Sequence, residues 1–578
     1  MKSQKYLLAL ILFAASIAPR LAELDSFVAV DEPAWLTRGG NFYYALAQRE
    51  FQNTVYEYHP SVINMWYVAT AMIVYFPEYR GLGQGYFDVD KNTFDPFLLE
   101  HGKTPLTLLH ISRIFQVIVI SLFILLIFHF LSRLVGEKKA FFIAAFLSVA
   151  PYFLGHSRLL SHEAMVATFS LASIFGMMAY LESERKWFYL PLSAAAAALA
   201  QLTKSSAMAM FPVIGLMLVV AVFEKSKERG FWSALLNYLK IFGIWLAVMV
   251  LVYFIVWPGM WVAPGKMLYE VYGNAFSYAF QGSRLQVTQE LQPSNFSIDS
   301  VGSTASMYTR FIFESGTVVT WAGVTLALAS LFLRGKKSPA PLEKKIFAYL
   351  FIAAVMFVLM FSVARGLNYR HYVMTSHVSV SVIGALGWAI WIEWLVGKWE
   401  SRKKLEFGSV MGRRIQVWGA ALLIVIQFAE GAAFYPYYYT YYNPIVAALM
   451  ETPPASNYGE GIELAAAYLA QKPDSASLAV FSYRGRGPFS YFFPGETIIL
   501  NPVYMDEPGM PTVFERLGRS DYMVVTDTLE FRSEGTRRFM RALRATPPEY
   551  SILLKGVSPT HIYRVADLPP SFYEMLSK

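Results

Sequence analysis

Two adjacent acidic residues near the start of the chain are candidates for acid–base chemistry. Asp31 and Glu32 follow the first apolar stretch and precede Pro33 and Trp35. An Asp-Glu-Pro sequence is also a common opening of a helix, in which case the acidic residues cap its N-terminus. A carboxylate held near a membrane surface can equally act as the general base that deprotonates an acceptor hydroxyl. Both interpretations are open for this pair.

A second polar group lies in a short connection between two apolar runs and contains Arg158, Ser161, His162 and Glu163. Taken alone, it is typical of a snorkelling arginine with polar loop residues. Lys204 is different, because it lies between the apolar runs 194–202 and 207–222. An ionisable residue at such a depth is a functional hypothesis by default, and its natural partner is an anion such as a lipid phosphate.

A third group consists of Arg370 and His371 with Tyr369 and Tyr372 around them. Aromatic residues and arginines are also typical of a membrane interface. Arginine nevertheless binds phosphate with geometric specificity, so Lys204 and Arg370 together can neutralise a leaving phosphate as its charge develops. In the tyrosine-rich run 435–444, which otherwise resembles an interfacial aromatic belt, Tyr442 and Asn443 are further candidates for polar contacts.

Composition indicates that these groups belong to a membrane protein. The 578 residues are 55% hydrophobic and only 16% charged, which is too apolar for a soluble chain of this length. The net charge of +8 comes from short Lys and Arg clusters between apolar runs, a pattern that indicates membrane topology and not a nucleic-acid partner. With no cysteine, disulfides and Cys-ligated metals are excluded.

About eleven apolar runs are long enough to predict membrane spans, and the basic clusters fall in every second connection. The runs begin near Tyr6, Leu108, Ala140, Ala164, Phe188, Ala207, Leu235, Val318, Ile346, Val373 and Ile415. The clusters include Lys138, Lys139, Arg185, Lys186, Lys225, Lys227, Arg334, Lys336, Lys337, Lys344, Lys345, Lys403 and Lys404. This alternation predicts a cytoplasmic N-terminus and an extracytoplasmic C-terminus.

Two apolar stretches allow another interpretation. Residues 6–18 resemble a cleaved signal peptide as well as a first span, and we favour a retained span because Pro19 and Arg20 make a poor cleavage region. Residues 60–76 are also apolar, but counting them as a span would place all later basic clusters outside. We therefore expect an interfacial helix in the first outer loop there, beside the amphipathic segment 35–51.

The chain divides at the two prolines 453 and 454, which predicts a membrane domain over 1–450 and a soluble domain over 451–578. In the second part, apolar spacing predicts a helix from Ile462 to Leu469. Short β-branched runs predict strands at 478–483, 497–500 and 522–525 and a strand or hairpin within 552–565. The expected fold is a polytopic α-helical membrane protein with a small C-terminal α/β extracytoplasmic domain.

Several motifs resemble one known family. They are VDEPAWLTRG at 30–39, SRLLSHEAM at 157–165, LTKSSAMAMFP at 202–212, NYRHYVM at 368–374, YPYYYTYYNP at 435–444 and YGEGIELAAAYLA at 458–470. The chain resembles the GT-C superfamily membrane glycosyltransferases of the dolichyl-phosphate-mannose protein mannosyltransferase type, which include the bacterial lipid A aminoarabinose transferases. The resemblance implies that Asp31 activates the acceptor and that Glu163 helps to order the site. Glu163 stands where many relatives carry aspartate, and Ser206 where relatives often carry proline.

The resemblance and the residues lead to one functional hypothesis: inverting transfer of a sugar from a polyprenyl-monophosphate donor to an acceptor hydroxyl at the outer face of the cell membrane. Nucleotide sugars are cytoplasmic, so an outward-facing transferase draws on a lipid-linked donor. The predicted site comprises Asp31, Glu32 and Glu163 as catalytic residues, Lys204, Arg370 and Arg158 on the donor phosphate, and His162, Tyr369, His371, Tyr442 and Asn443 on the substrates.

The expected partners are the donor lipid, an acceptor protein, lipid or glycan, and membrane lipids. The resemblance implies no required cofactor, since relatives with monophosphate donors often work without a metal, although the three acidic residues have the chemistry to bind a divalent cation. The chief alternative is a transporter or a flippase of lipid-linked sugars, which would show inverted repeats that we do not find. A non-catalytic scaffold would not need clustered carboxylates and cations.

Overall fold

Long apolar helices form most of the computed structural model, which describes residues 2–57, 59–182, 187–281, 298–333, 339–363, 369–406, 408–451, 453–506 and 508–577. Eight of these helices are long and apolar enough to cross a membrane, and a bent pair adds a ninth if it counts as one span. Such a set of helices makes the chain a multi-pass membrane protein. Arg185, Lys186, Arg334, Lys336 and Lys337 of the basic clusters lie outside the described residues.

The membrane part begins with α1 (Lys2–Leu21), α2 (Glu32–Ala47), α3 (Val62–Tyr75), α4 (Phe94–Glu100), α5 (Pro105–Leu134), α6 (Glu137–Ser148), α7 (Pro151–His156), α8 (Glu163–Glu182), α9 (Tyr189–Thr203), α10 (Phe211–Arg229) and α11 (Phe231–Val256). It continues with α12 (Gly259–Val262), α13 (Pro264–Leu268), α14 (Asn274–Gln281), α15 (Ile298–Ser315), α16 (Val318–Ser330), α17 (Pro341–Val363), α18 (Met374–Arg402), α19 (Val410–Ala432) and α20 (Pro444–Ala447).

The helices differ in how much of their surface is covered by protein. Nearly every residue of α8 from Glu163 to Ala179 is buried, since α5, α9 and α18 surround it. On α11, by contrast, the buried side chains Trp245, Met249 and Tyr253 recur every fourth residue and form one stripe. A single apolar stripe against the protein leaves the remaining apolar surface for lipid, so α8 is central and α11 peripheral.

The sequence predicted about eleven crossings, whereas eight or nine helices qualify. Three predicted spans form shorter helices: α6 has 12 residues, α9 has 15 and α16 has 13. The chain breaks at α6 because Pro151 begins a new helix, and at α9 because Lys204 has an extended backbone. The chain changes direction by 112° between α15 and α16, at Gly316, which makes these two helices a bent pair.

The apolar run 60–76 forms α3, which packs against α2, α5 and α9. Its 14 residues extend over about 21 Å, which is short of the roughly 30 Å of hydrocarbon in a bilayer. This length agrees with excluding the run from the spans, and its place in the interface stays a prediction.

Ion pairs join several spans at the end of the bundle that carries the basic clusters. Lys139 at the start of α6 contacts Glu393 of α18 at 2.9 Å. Lys345 of α17 contacts Glu182 of α8 at 2.5 Å and Glu224 of α10 at 2.9 Å. Lys139 also pairs with Glu343 of α17, so these contacts place the ends of α8, α10, α17 and α18 together, opposite the ends at which Glu163 and Lys204 lie.

The strands predicted in the C-terminal part are present, and they form a five-stranded mixed sheet. Its strands are β1 (Ala479–Tyr483), β2 (Glu496–Leu500), β3 (Tyr522–Thr526), β4 (Tyr550–Ile552) and β5 (Thr560–Arg564), in the spatial order β2-β1-β3-β5-β4. Strand β1 is parallel to β2 and β3, while β5 is antiparallel to β3 and β4. The division of the chain at residue 450 stays a prediction.

Helices cover both faces of this sheet. Met523 and Val525 face α22 (Met510–Gly518), α23 (Glu534–Leu543) and α24 (Pro570–Ser577), whereas Val524 faces α21 (Ile462–Ala470). Successive side chains of a strand point to opposite faces, so β3 needs apolar residues at every position when both faces are covered. The run Tyr522–Thr526 is buried throughout, which explains why it lacks an alternating polar pattern.

The C-terminal part docks closely on the first loop of the membrane part. Arg486 donates to the hydroxyl of Thr37 at 2.7 Å, to the backbone carbonyl of Val89 at 2.9 Å and to the carboxylate of Asp95 at 3.2 Å. A side chain at Gly487 would meet Pro33 at 2.3 Å, so only glycine permits this approach. The two parts therefore share one packed interface.

A buried acid at this interface makes the stability of the docked protein depend on pH. Glu463 of α21 accepts a hydrogen bond from the hydroxyl of Tyr437, and burial raises the pKa of Glu463 from 4.5 to about 8. The folded chain holds a proton that the unfolded chain releases above pH 4.5. Stability is thus fully present below that pH and declines as the pH rises to about 8.

Replacing Glu463 by Gln should remove this dependence, because the amide stays neutral at every pH. We expect Glu463→Gln to melt at the wild-type temperature at pH 5 and above it at pH 9, measured by thermal unfolding in detergent. The exposed Glu515 of α22 supplies the control Glu515→Gln, which should follow the wild type at both pH values. An equal loss of stability at pH 5 and pH 9 would contradict the assignment.

Candidate active site

Asp31 occupies the N-cap position of α2, but its side chain caps none of the helix N–H groups. Instead, its Oδ2 accepts a hydrogen bond of 2.5 Å from the hydroxyl of Tyr458, and the residue is exposed. Asp31 therefore marks the start of the helix, but capping does not explain the position of its carboxylate. An exposed carboxylate with one donor keeps accepting capacity for a second group.

Glu32 points in the opposite direction and is 1% exposed. One oxygen accepts from Arg113 Nε at 2.8 Å and from the backbone N–H of Leu160 at 2.7 Å. The other accepts from the backbone N–H of Ala29 at 2.7 Å and from Arg113 Nη2. Because each carboxylate oxygen already accepts two hydrogen bonds, Glu32 does not fit the catalytic role expected from the sequence. It anchors the loop that presents Asp31.

Lys204 and Glu163 form a buried ion pair. Lys204 ends α9 and is fully buried, Glu163 begins α8, and their charged atoms are 2.5 Å apart. The ammonium of Lys204 also lies 4.4 Å from the centre of the Tyr372 ring, a cation–π contact. The anion that the sequence predicted for Lys204 is therefore, in this structure, a protein carboxylate.

His162 lies beside this pair. Its Nε2 is 3.2 Å from Glu163 Oε1, and its ring packs edge-on against Trp35 at 5.7 Å between centroids. The ring of His59 approaches it at 5.4 Å. These contacts hold His162 between the start of α8 and helix α2, next to the residues that follow Asp31.

Arg370 is the cation of the site that has no carboxylate partner among the described residues. It donates from Nη1 to the backbone carbonyl of Tyr441 at 3.2 Å, and its guanidinium lies 5.6 Å from the Tyr152 ring centre. One carbonyl bond leaves most of its five N–H donors available. Such a guanidinium can bind a phosphate in a bidentate manner.

A short 3₁₀ turn, Arg370–Val373, connects these groups. His371 packs against the Tyr458 ring at 5.7 Å and interacts electrostatically with Asp31, Glu163 and Lys204. Tyr369, just before the turn, stacks on His371 at 5.3 Å and is 40% exposed. The turn thus brings the acid at the start of α2 and the ion pair between α8 and α9 to one place.

Three other predicted residues do not join this group. Arg158 donates to the backbone carbonyls of Arg20 at 3.2 Å, Glu23 at 3.0 Å and Pro436 at 2.9 Å. The residue is 2% exposed and its guanidinium is occupied by the loops it ties together, so Arg158 does not fit a phosphate-binding role. Arg158 is a structural cross-link.

Asn443 and Tyr442 are likewise explained by local structure. Asn443 caps α20, accepting from the backbone N–H of Ile445 at 2.9 Å, and donates to the carbonyl of Gly316 at 2.7 Å. Tyr442 packs edge-on against Phe434 at 5.3 Å. The polar atoms of Asn443 are used within the fold, so the expected substrate contact does not fit this residue.

Sequence reasoning missed the two tyrosines that complete the site, Tyr458 on Asp31 and Tyr372 on Lys204. Both lie in motifs recognised from the sequence, NYRHYVM and YGEG, but nothing in their spacing predicts which group each would meet. The described part of the chain contains no group of three or more histidine or carboxylate side chains close enough to hold a metal ion.

Comparisons with known proteins give matches of two kinds. Solved structures with a similar course include ArnT from Cupriavidus metallidurans bound to undecaprenyl phosphate, at 13% identity and a TM-score of 0.45, over 98% of this chain and 99% of that one. The Archaeoglobus fulgidus oligosaccharyltransferase in the apo form has 12% identity and a TM-score of 0.43, over 93% and 71% of the two chains. No curated protein matches the sequence.

The second match is to a family model. Residues 110–257 match the model described as dolichyl-phosphate-mannose-protein mannosyltransferase. This segment holds Arg158, His162, Glu163 and Lys204, whereas Asp31 and Arg370 lie outside it. Over this segment, the match agrees with the resemblance to the protein mannosyltransferase type that the sequence motifs indicate.

Proposed function

We propose that the chain is a glycosyltransferase that moves a sugar from a polyprenyl-monophosphate donor to an acceptor hydroxyl, with inversion, at the extracytoplasmic face of the membrane. The observation that carries the proposal is an exposed, singly hydrogen-bonded Asp31 whose donor, Tyr458, packs on the turn that begins with Arg370. Arg370 has no carboxylate partner in the described part of the chain. A base and an anion-binding cation are the two parts that such a transfer needs.

In the proposed reaction, Asp31 accepts the proton of the acceptor hydroxyl while the hydroxyl oxygen attacks the anomeric carbon. The bond between that carbon and the phosphate oxygen breaks, and its electron pair leaves with the polyprenyl phosphate. Because attack and departure occur on opposite faces of the sugar, the anomeric configuration inverts. One general base of this kind contributes a factor of about 100 to 10,000 in rate.

Arg370 is the residue we assign to the departing phosphate, since one carbonyl bond occupies only part of its guanidinium. Lys204 is paired with Glu163 and covered by the ring of Tyr372, which belongs to the same turn as Arg370. This pair supplies a fixed dipole beside the phosphate position, and Glu163 and His162 keep Lys204 in place. In this proposal Glu163 is a positioning residue, because its carboxylate contacts Lys204 and His162.

The extracytoplasmic location of the site rests on the basic clusters at the opposite end of the bundle. Lys139 and Lys345 mark that end through their ion pairs with spanning helices, while Asp31, Glu163 and Lys204 lie at the other. A site outside the cytoplasm has no supply of nucleotide sugars. The donor class that fits is therefore a lipid-linked sugar.

Replacing Asp31 tests the base. Asp31→Asn keeps the shape and the acceptor atom for Tyr458 but cannot take up a proton, so we expect transfer in proteoliposomes to fall by about 100- to 10,000-fold. Asp25, exposed in the same loop, gives the control Asp25→Asn, which should retain wild-type turnover. Turnover of Asp31→Asn within a few-fold of wild type would show that another group is the base.

Replacing Arg370 tests the phosphate contact. A charge-assisted hydrogen bond is worth about 1.5–3 kcal/mol, so Arg370→Met should weaken inhibition by free polyprenyl phosphate by roughly 10- to 100-fold. Arg414→Met removes an exposed arginine from α19 and should leave that inhibition unchanged. Equal inhibition constants for wild type and Arg370→Met would remove Arg370 from the phosphate site.

The absence of cysteine from the chain makes the orientation directly measurable. A cysteine at Ala476, exposed in the soluble part, should react with a membrane-impermeant maleimide added outside intact cells. A cysteine at Lys403, exposed after α18, should react only after the membrane is opened. The reverse pattern would place the site on the cytoplasmic side and rule out the proposed donor class.

The proteoliposomes used for the transfer assay also test the alternative function. Movement of the lipid-linked sugar across the bilayer without sugar transfer would favour a flippase.

A further inference from the structure

The soluble part of the chain reaches into the candidate active site through one side chain. The hydroxyl of Tyr458 lies 2.5 Å from Asp31 Oδ2, although the two residues are 427 positions apart in the sequence. It is the one side-chain hydrogen bond that the described residues give to the Asp31 carboxylate. A neutral donor on a carboxylate is a strong, directional contact.

We propose that Tyr458 is a positioning residue for the catalytic base, and that the C-terminal domain thereby completes the active centre of the membrane domain. The inference rests on the proposed function of Asp31. By engaging Oδ2, the Tyr458 hydroxyl fixes the rotation of the carboxylate and leaves Oδ1 to accept the proton of the acceptor. A base contributes fully only when it is held in the geometry of the transition state.

Tyr458 is itself held on several sides. Its backbone carbonyl accepts from Val30 N–H at 3.0 Å, and its own N–H donates to the buried carboxylate of Glu460 at 2.5 Å. Its ring lies between His371, at 5.7 Å, and Tyr439, at 6.3 Å. A side chain restrained at its backbone and by two neighbouring rings can restrain its neighbour in turn.

The next residue shows how closely the two parts meet. Gly459 has a φ of +114°, and a Cβ at this position would lie 2.5 Å from the backbone carbonyl of Val28. Only glycine allows both the conformation and the approach. The loop of Tyr458 therefore packs against residues 28–31. Docking of the C-terminal part also places the Tyr458 hydroxyl next to Asp31.

The hydroxyl also keeps its proton in this environment. Burial, together with the charge of Asp31, raises the pKa of Tyr458 well above its usual value. A phenol that stays protonated at every working pH acts as a hydrogen-bond donor and does not compete with Asp31 as a base.

The test is Tyr458→Phe, which removes one oxygen and keeps the ring between its neighbours. We expect kcat to fall by about 10-fold or more, as the loss of a hydrogen bond to a charged group implies, with KM for donor and acceptor within two-fold of wild type. Tyr468→Phe is the matched control, since Tyr468 donates to Glu549 at 2.8 Å on an exposed part of the same domain, and it should keep the wild-type kcat.

A double-mutant cycle separates positioning from a structural effect. If Tyr458 acts through Asp31, Tyr458→Phe should cause no further loss in the Asp31→Asn background, whereas a structural defect would lower activity there by the same factor. A Tyr458→Phe enzyme with wild-type kcat, or equal losses in both backgrounds, would overturn the inference. The proposed function fails separately, if Asp31→Asn alone is fully active.

Discussion

The buried ion pair between Glu32 and Arg113 is the constraint on which the candidate site depends. Glu32 follows Asp31 directly, and once its carboxylate is fixed by Arg113 and two backbone N–H groups, the start of α2 has a single orientation against α5. Burying a charge is costly unless it is paired and fully hydrogen-bonded, and Glu32 meets both conditions. The adjacent carboxylate of Asp31 is then directed outward, toward Tyr458. Two neighbouring acids of similar chemistry thus serve as anchor and as candidate base.

The cations around the site also divide into those that stabilise the fold and one that is available to a ligand. Arg158 is bound to backbone carbonyls of two separate segments, residues 20–23 and Pro436, and Lys204 is paired with Glu163. Each of these cations satisfies polar groups that would otherwise be buried without partners, so removing its charge would leave carbonyls or a carboxylate exposed to apolar surroundings. Arg370 has a single carbonyl bond and is partly exposed, which leaves it for a ligand. The proposed phosphate contact is therefore assigned to the cation that makes the fewest contacts within the fold.

The soluble part is bound to this arrangement through Arg486 and the glycines 459 and 487, which allow its loops to approach Val28 and Pro33 closely. The contact is polar and tightly packed, as interfaces between parts of one chain often are. The interface also carries the buried acid Glu463, whose neutral form is favoured by burial. Domain docking and site formation are consequently coupled by shared residues, and both depend on the same few loops around Asp31.

The sequence alone was sufficient for the membrane class, the strands of the C-terminal sheet and the candidate groups at Asp31, Glu163, Lys204 and Arg370, because hydropathy and periodicity are local properties of the chain. It could not show that three of the eleven predicted spans form shorter helices, since the breaks after α6 and α9 lie at a proline and at the extended backbone of Lys204. Only the tertiary structure decided that Asp31 faces outward while Glu32 is buried, that Arg158 is a cross-link, and that Tyr458 reaches Asp31 across 427 residues. The physical reason is that a side chain's role is set by the partners that packing brings to it, and those partners are remote in sequence.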